Sequence, residues 1–361
     1  MSADAAIWTV PATGHSRFDF RYDAGRERLL ALYQKGKDKQ WDAVARIDWS
    51  IEVDPFDVLG TPENTLALYG SRQYDRLDAA GRRELRRHMA GWEFSQFLHG
   101  EQGAMICCSR IVESVPDLDA KFYAATQVMD EARHAEIFSR FLEEKIGITY
   151  PINKSLQALL GDALSDSRWD MPYLGMQVLI EGLALAAFGV LRDKTTKELP
   201  RQILAYIMQD EARHVAFGRL ALRDYYRHLT DRERLEREEF VVESCYLMRD
   251  RLRMREVWET MGLDVRECQE YYDRGPRIRA FRSLLFTRIV PCIRDIGLWG
   301  AKVRAAYADM GVLDMAGTDL LKLMESDERQ AELIDTEKAQ LAARKAQVAQ
   351  TVAAGAEKPF G

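Results

Sequence analysis

The chain lacks most of the features that mark secreted, membrane-embedded or nucleic-acid-binding proteins. Cysteine is scarce. Five occur, Cys107, Cys108, Cys245, Cys268 and Cys292, an odd number with no Cys-x-x-Cys pair. That argues against a disulfide framework or a structural zinc site and fits a reducing cytoplasm. Positive charge is not in excess: the net charge is -6. The arginine-rich stretch Arg249–Arg255 has acids within and around it, so it reads as a solvated helix face, and no nucleic-acid partner is expected. The N-terminus has no basic-then-apolar pattern of signal type. Strand-type alternation is nearly absent, so the sequence predicts an all-α fold. Only one apolar run is long, Leu174–Leu191, and it carries Glu181 near its middle and three glycines. A carboxylate there argues against a membrane span, so no membrane partner is expected.

The rest is an ordinary globular composition, 47% hydrophobic and 30% charged over 361 residues. Four regions are predicted: an N-terminal arm and helix over 1–65, a four-helix bundle over 66–230, additional helices over 231–324, and a polar tail over 325–361, frayed or disordered. Helical spacing covers Ala24–Ile47, with Trp41 and Trp49 flanking its end. Breaks are expected at Pro116-Asp117, Gly147–Pro151, Ser165–Pro172, Asp193–Pro200 and Thr230-Asp231, with Pro200 in a first helical turn. Further helices are predicted over 232–261, 277–293 and about 296–310.

Within the bundle region the pentapeptide Asp-Glu-Ala-Arg-His occurs twice, at Asp130–His134 and Asp210–His214. Each copy contains Glu-x-x-His, and residues three apart share one helix face. Glu131 with His134, and Glu211 with His214, can therefore each grip a metal ion. A further glutamate, Glu101 or Glu181, precedes each pair by thirty residues, and the half-sites are offset by eighty throughout. At 1.5 Å per residue, the arms on either side of the expected turns are about 17 to 21 Å long. Two hairpins of that size bring all six side chains to one height, with the segment from about Gly147 to Pro172 as the long crossover. That is the layout and ligand set of a ferritin-like di-metal four-helix bundle, here with flanking helices.

Electrostatics points the same way. Glu181 lies in a helix too apolar to face water, and a buried unpaired carboxylate costs several kcal/mol or stays protonated. Two divalent cations neutralise four carboxylates. Oxygen-rich ligands with two imidazoles suit iron or manganese better than a thiolate-preferring metal.

The pattern Glu, Asp-Glu-x-Arg-His, Glu, Asp-Glu-x-Arg-His resembles the carboxylate-bridged diiron oxygenases. The stretch Gly100–His134 is most similar to the hydroxylase α subunit of bacterial multicomponent monooxygenases, with the small subunit of ribonucleotide reductase a more distant relative; the match covers about residues 90–225. The resemblance implies that Glu101, Glu131 and His134 bind one iron and Glu181, Glu211 and His214 the other, with bridging glutamates. It implies that Asp130 and Asp210 hydrogen-bond the histidine of the opposite half-site, and that Arg133 and Arg213 join those networks. Two positions depart from the pattern. Leu185 stands where the hydroxylases have a threonine, and Phe138 where radical-storing subunits have a tyrosine.

Residues three, four or seven from a ligand share its helix face: Phe97, Ala104, Met105, Cys108, Gln127, Phe138, Gln177, Ala184, Phe188, Ile207 and Met208. With Leu185 they are the expected walls of a largely apolar substrate cavity, although most are expected simply to pack the core. Gln127 and Gln177 are placed to orient a ligand or to bond each other. Gly103 and Gly182 leave space beside Glu101 and Glu181, for close helix packing or for oxygen. The expected function is O2-dependent oxidation of a small organic molecule by two Fe ions, with Mn/Fe as an alternative metal content. No flavin or nicotinamide motif is evident, so the electrons are expected from a separate ferredoxin or reductase. A radical-generating subunit and a ferritin-like iron-handling protein are the competing readings. By analogy, the helices outside the bundle supply a homodimer face.

Overall fold

The computed structural model describes residues 7–11, 14–22 and 25–356, with backbone only at 277 and 351–356. Among these residues there are helices and no strands. Helix α1 (Glu27–Asp38) is followed by a single turn at Ala43–Arg46, which Asp42 caps by accepting from the Val44 and Ala45 amides. Two antiparallel pairs then form the bundle. The first is α2 (Ala79–Ser114) with α3 (Leu118–Phe141), whose N-termini are capped by Asp78 and Asp117. Such caps satisfy amides that the first turn leaves free. Pro116 and the Asp117 cap account for the sharp reversal between them. Past Phe141 the last turn widens to π geometry over Leu142–Ile146 and stops at Gly147, whose φ of 75° suits glycine.

The crossover carries a short helix, α4 (Lys154–Ser165), capped by Asn153. The second pair is α5 (Asp170–Lys194) with α6 (Glu198–Tyr226), and Pro200 sits in the first turn of α6. By length and composition α5 could cross a membrane, with a mean hydropathy of 1.9, but 83% of its apolar window is buried in the protein. Its apolarity is that of a central bundle helix surrounded on all sides. Tyr173–Ile180, just before Glu181, is in π conformation. A π turn adds a residue per turn and re-aims the side chains that follow it.

The glycines flagged by the sequence serve close packing. A Cβ at Gly103 would meet Leu160 of α4 at 2.5 Å, and one at Gly182 would meet Ile289 at 3.1 Å. The space beside the two glutamates is therefore filled by neighbouring helices.

Beyond the bundle, α7 (Asp231–Asp250) starts with a full capping box between Thr230 and Glu233. The sequence suggested one helix over 232–261. The structure breaks it at Arg251–Met254, where Met254 takes a left-handed conformation (φ 50°), and resumes as α8 (Arg255–Thr260). Then follow α9 (Val265–Arg274), which the periodicity did not predict, α10 (Pro276–Leu285), α11 (Ile289–Asp295) and α12 (Ala301–Asp309).

The polar tail was expected to fray or be disordered. Instead α13 (Leu320–Ala356) is one helix, and its first half packs along α6. Ala331 and Ile334 are buried there. Buried Asp327 lies 2.6 Å from Arg288 and 3.3 Å from Arg192. Asp335 accepts from Arg46 at 2.8 Å and from the Tyr206 hydroxyl at 2.7 Å. Sparse large apolar residues hid this docking, because charge pairs with partners far along the chain hold the helix. Residues 339–350 are exposed throughout.

Candidate metal centre

Each bundle helix delivers its share of one buried cluster. Helix α2 brings Glu101, α3 brings Glu131 and His134, α5 brings Glu181, and α6 brings Glu211 and His214. None is more than 5% exposed. Their ligand-type atoms fall into two groups, Glu101–Glu131–His134–Glu211 and Glu131–Glu181–Glu211–His214, with the atoms of each group within 4.8 Å of one another. Glu131 and Glu211 belong to both, the arrangement of carboxylates that bridge a pair of ions.

The imidazoles turn their Nδ1 atoms inward. His134 Nδ1 lies 3.0 Å from Glu211 Oε1 and 3.5 Å from Glu101 and Glu131. His214 Nδ1 lies 3.0 Å from Glu131 Oε1 and 3.3 Å from Glu211 Oε2. Their Nε2 atoms face outward to aspartates of the opposite half, His134 to Asp210 at 3.1 Å and His214 to Asp130 at 3.2 Å. An acceptor on Nε2 places the proton there and leaves Nδ1 free as a lone-pair donor.

The two aspartates are themselves tied down. Arg133 donates to Asp130 at 2.5 Å and to Asp210 at 2.9 Å, and Arg213 donates to Asp210. The Trp41 indole donates to Asp210 at 2.8 Å, and the Gln40 amide to Asp130 at 2.7 Å. Gln40 also accepts from Arg133 at 2.9 Å. Sequence reasoning missed Gln40 and Trp41 as members of the site. They lie between helical segments, at no repeated spacing, and the only signal was a large aromatic at the end of a helical stretch.

On the inner side, Gln127 donates to Glu131 at 3.0 Å and to Glu181 at 2.9 Å, and accepts from Gln177 at 2.8 Å. Both alternatives raised by the sequence hold: the glutamines bond each other, and one of them orients two carboxylates. Gly218 makes room for this, since a Cβ there would meet Gln177 Cβ at 2.7 Å.

Charge is badly balanced in this cluster of protein atoms alone. Burial, with Glu211 nearby, pushes the Glu101 carboxyl well above its ordinary value; burial with Glu131 and Glu211 does the same to Glu181. Burial also opposes charge on Glu131, but His214 and His134 outweigh it and hold that carboxyl low. Burial likewise disfavours the charged imidazoles, and the surrounding carboxylates outweigh it in both, raising them well above the usual histidine range. Glu131 Oε2, Glu181 Oε2, Glu211 Oε1 and His134 Nδ1 are buried without a well-formed hydrogen bond. Orphaned acceptors converging on one point cost free energy unless something satisfies them. Two divalent cations fit: they supply the missing partners and the missing positive charge.

The remaining flagged residues surround the cluster. Phe97, Phe138 and Phe188 pack ring on ring, with centroids 4.7 to 5.8 Å apart. Ala104, Cys108, Leu185, Ile207 and Met208 are buried, and Met105 and Ala184 half-buried. None of the twelve suggested cavity residues lines the apolar cavity that the structure shows, of about 370 Å³. That cavity begins farther out, at Met89, Ala90 and Glu93 of α2 and Val190, Leu191 and Lys194 of α5. The physical reason is the phenylalanine cluster, which fills the space nearest the carboxylates.

The profile of the family described as p-aminobenzoate N-oxygenase AurF matches residues 23–297. The chain belongs to the AurF N-oxygenase family. Membership narrows the diiron class to which the motifs pointed, and makes the chain an O2-using oxidoreductase with a non-haem dimetal site. Among curated proteins none matches the chain. Similar solved structures include a variant of an R2-like ligand-binding oxidase with an anaerobically reconstituted Mn/Fe cofactor, 16% identical, covering 78% of this chain and 96% of that one, with a TM-score of 0.47. Another is an R2-like ligand-binding oxidase with an aerobically reconstituted metal cofactor after photoconversion, 16% identical, covering 73% and 94%, with a TM-score of 0.41.

Proposed function

We propose that this family member N-oxygenates an aromatic amine on an apolar body, at two iron ions held by Glu101, Glu131, His134, Glu181, Glu211 and His214. The observation that carries the ligand assignment is the pair of four-residue groups sharing Glu131 and Glu211. The name of the family supports an amine nitrogen as the oxidised atom. When bound, the ions supply the redox chemistry, with one atom of O2 going to the substrate and the other to water at the expense of two external electrons.

The chain's own residues do the rest. Asp130 and Asp210 fix the imidazole tautomers, and Arg133 and Arg213 fix the aspartates. Gln127 holds Glu131 and Glu181 in register. The phenylalanine cluster excludes water from the side facing the apolar cavity. A separate ferredoxin or reductase delivers the electrons, and the cytoplasm, where five unpaired buried cysteines stay reduced, is the proposed location.

The test is metal analysis of protein from iron-supplemented cells, followed by turnover under 18O2 with a chemical reductant and arylamine probes. The expected result is about two irons per chain and products carrying label on nitrogen. One zinc, or no metal, would overturn the ligand assignment. Label on carbon alone would overturn N-oxygenation while leaving the oxygenase intact. A stable mixed Mn/Fe content would replace the diiron assignment.

A further inference from the structure

The apolar cavity beyond the phenylalanines is joined to the metal centre by the helices that form both. On α2, Glu93, Phe97 and Glu101 follow at intervals of four and share one face. On α5, which runs antiparallel, Glu181 is followed by Phe188 and then by Leu191 and Lys194. The Phe97 and Phe188 rings meet across the bundle, edge to face, with centroids 4.7 Å apart. This pair stands between the two sites, and Glu93 lies about 12 Å of helix from Glu101.

Most of the cavity wall is apolar, formed by residues such as Met89, Val190, Leu191 and Phe281. Its volume, about 370 Å³, suits a small organic molecule. Glu93 is the exception. Its carboxyl has no hydrogen-bond or ion-pair partner among the described residues. Burial pushes it up to about 7, against a weaker opposing pull from Lys194. Arg86, the other cation on the wall, is already engaged by Asp57 and the Thr61 carbonyl. A half-buried acid without a protein partner in an apolar cavity is a recognition element for a donor.

We propose that this cavity takes the substrate of the oxidising centre behind the Phe97–Phe188 pair, that the substrate's apolar body lies against Met89, Val190, Leu191 and Phe281, and that Glu93 binds a cationic amine head. This rests on the proposed oxidation chemistry and adds the substrate's other pole. The chain then disfavours a carboxylate in that position, the group that p-aminobenzoate would place there.

The matched probes are 4-aminobenzylamine and 4-aminobenzoate, titrated calorimetrically into the metal-loaded, oxidised protein without reductant. The benzylamine is expected to saturate one site and to bind more tightly than the benzoate. Glu93→Gln is expected to weaken it at least about tenfold, the effect of losing one charge-assisted hydrogen bond. Lys194→Gln is expected to leave it unchanged or tighten it. Benzylamine binding is expected to strengthen as the pH rises through about 7, where Glu93 ionises; the other ionisable groups on the wall are Arg86, Lys194 and Tyr272.

Glu211→Ala separates this inference from the metal reading. It is expected to lose iron and keep benzylamine binding, so a failed metal assignment does not touch the pocket assignment. Equal benzylamine binding by wild type and Glu93→Gln overturns the proposal. So does tighter 4-aminobenzoate binding that disappears in Lys194→Gln, which would make the head an acid. Absence of saturable binding by either probe overturns the pocket itself.

Discussion

At the scale of residues, the centre is a cluster of groups that repel one another until something else arrives. Glu181 shows this most clearly, as a carboxylate within the apolar run Leu174–Leu191 that accepts a hydrogen bond from Gln127. Glu181→Ala is expected to lose at least one metal ion by elemental analysis, yet keep the helical circular dichroism of the parent. Its metal-free form is expected to melt no lower than metal-free wild type, because the burial cost of the carboxyl outweighs the one hydrogen bond it accepts from Gln127. Asp210→Asn makes the opposite case. Asp210 accepts from Arg133, Arg213, Trp41 and His134, and burial against its ionisation is outweighed by Arg213 and His134, which hold it low. The variant leaves two guanidinium groups under-neutralised in the interior, and a loss of about 3 kcal/mol or more in chemical denaturation is expected. Glu93 offers a pH test. Its folded value lies above its unfolded one, so the folded state holds the proton more tightly and stability falls as the pH rises from about 4.5 through about 7. Glu93→Gln is expected to remove that decline, a gain on the order of 1 kcal/mol above pH 7 after allowing for partial exposure.

At the scale of elements, what the sequence revealed depended on whether the information was local. The repeated Asp-Glu-Ala-Arg-His and its equal spacings made the two hairpins and the six clustered side chains legible, because periodicity and helix rise are local rules. The π segment Tyr173–Ile180 was not legible, since no residue type specifies it. It is set by packing: a Cβ at Gly175 would meet Ala163 of α4 at 2.8 Å, so the two helices are nearly in backbone contact there. Gly218→Ala tests how tightly this region is set. The added methyl pushes on Gln177, and through it on Gln127. A loss of about 1 to 3 kcal/mol in stability, as overpacking usually costs, is expected together with weaker metal retention on dialysis. The docked half of α13 was equally invisible, because its polar residues find partners about 40 to 290 positions away. Truncation after residue 319 is expected to lower the melting temperature by several degrees, as it strips Arg192 and Arg288 of Asp327. Truncation after residue 340 leaves the buried Asp327, Ala331 and Ile334 in place and is expected to change little.

At the scale of the whole molecule, the layers have distinct tasks. Four helices hold the carboxylates and imidazoles; the added C-terminal helices, through Met254, Tyr272 and Phe281, complete the far wall of the apolar cavity. The bundle thus supplies the chemistry common to a wide class, while the appended helices shape what reaches it. That division explains why the metal centre could be read from two pentapeptides, whereas the cavity wall, assembled from residues 58 to 284, could not. The N-terminal arm has a different consequence. Gln40 and Trp41 close over both aspartates through contacts spanning 90 and 169 residues. A clasp assembled across such separations forms late in folding and opens early in local unfolding. Metal exchange in the folded protein is therefore expected to run at the rate at which that clasp springs open, so that how long the ions stay is set by Gln40 and Trp41, neither of which is among the six residues placed to hold them.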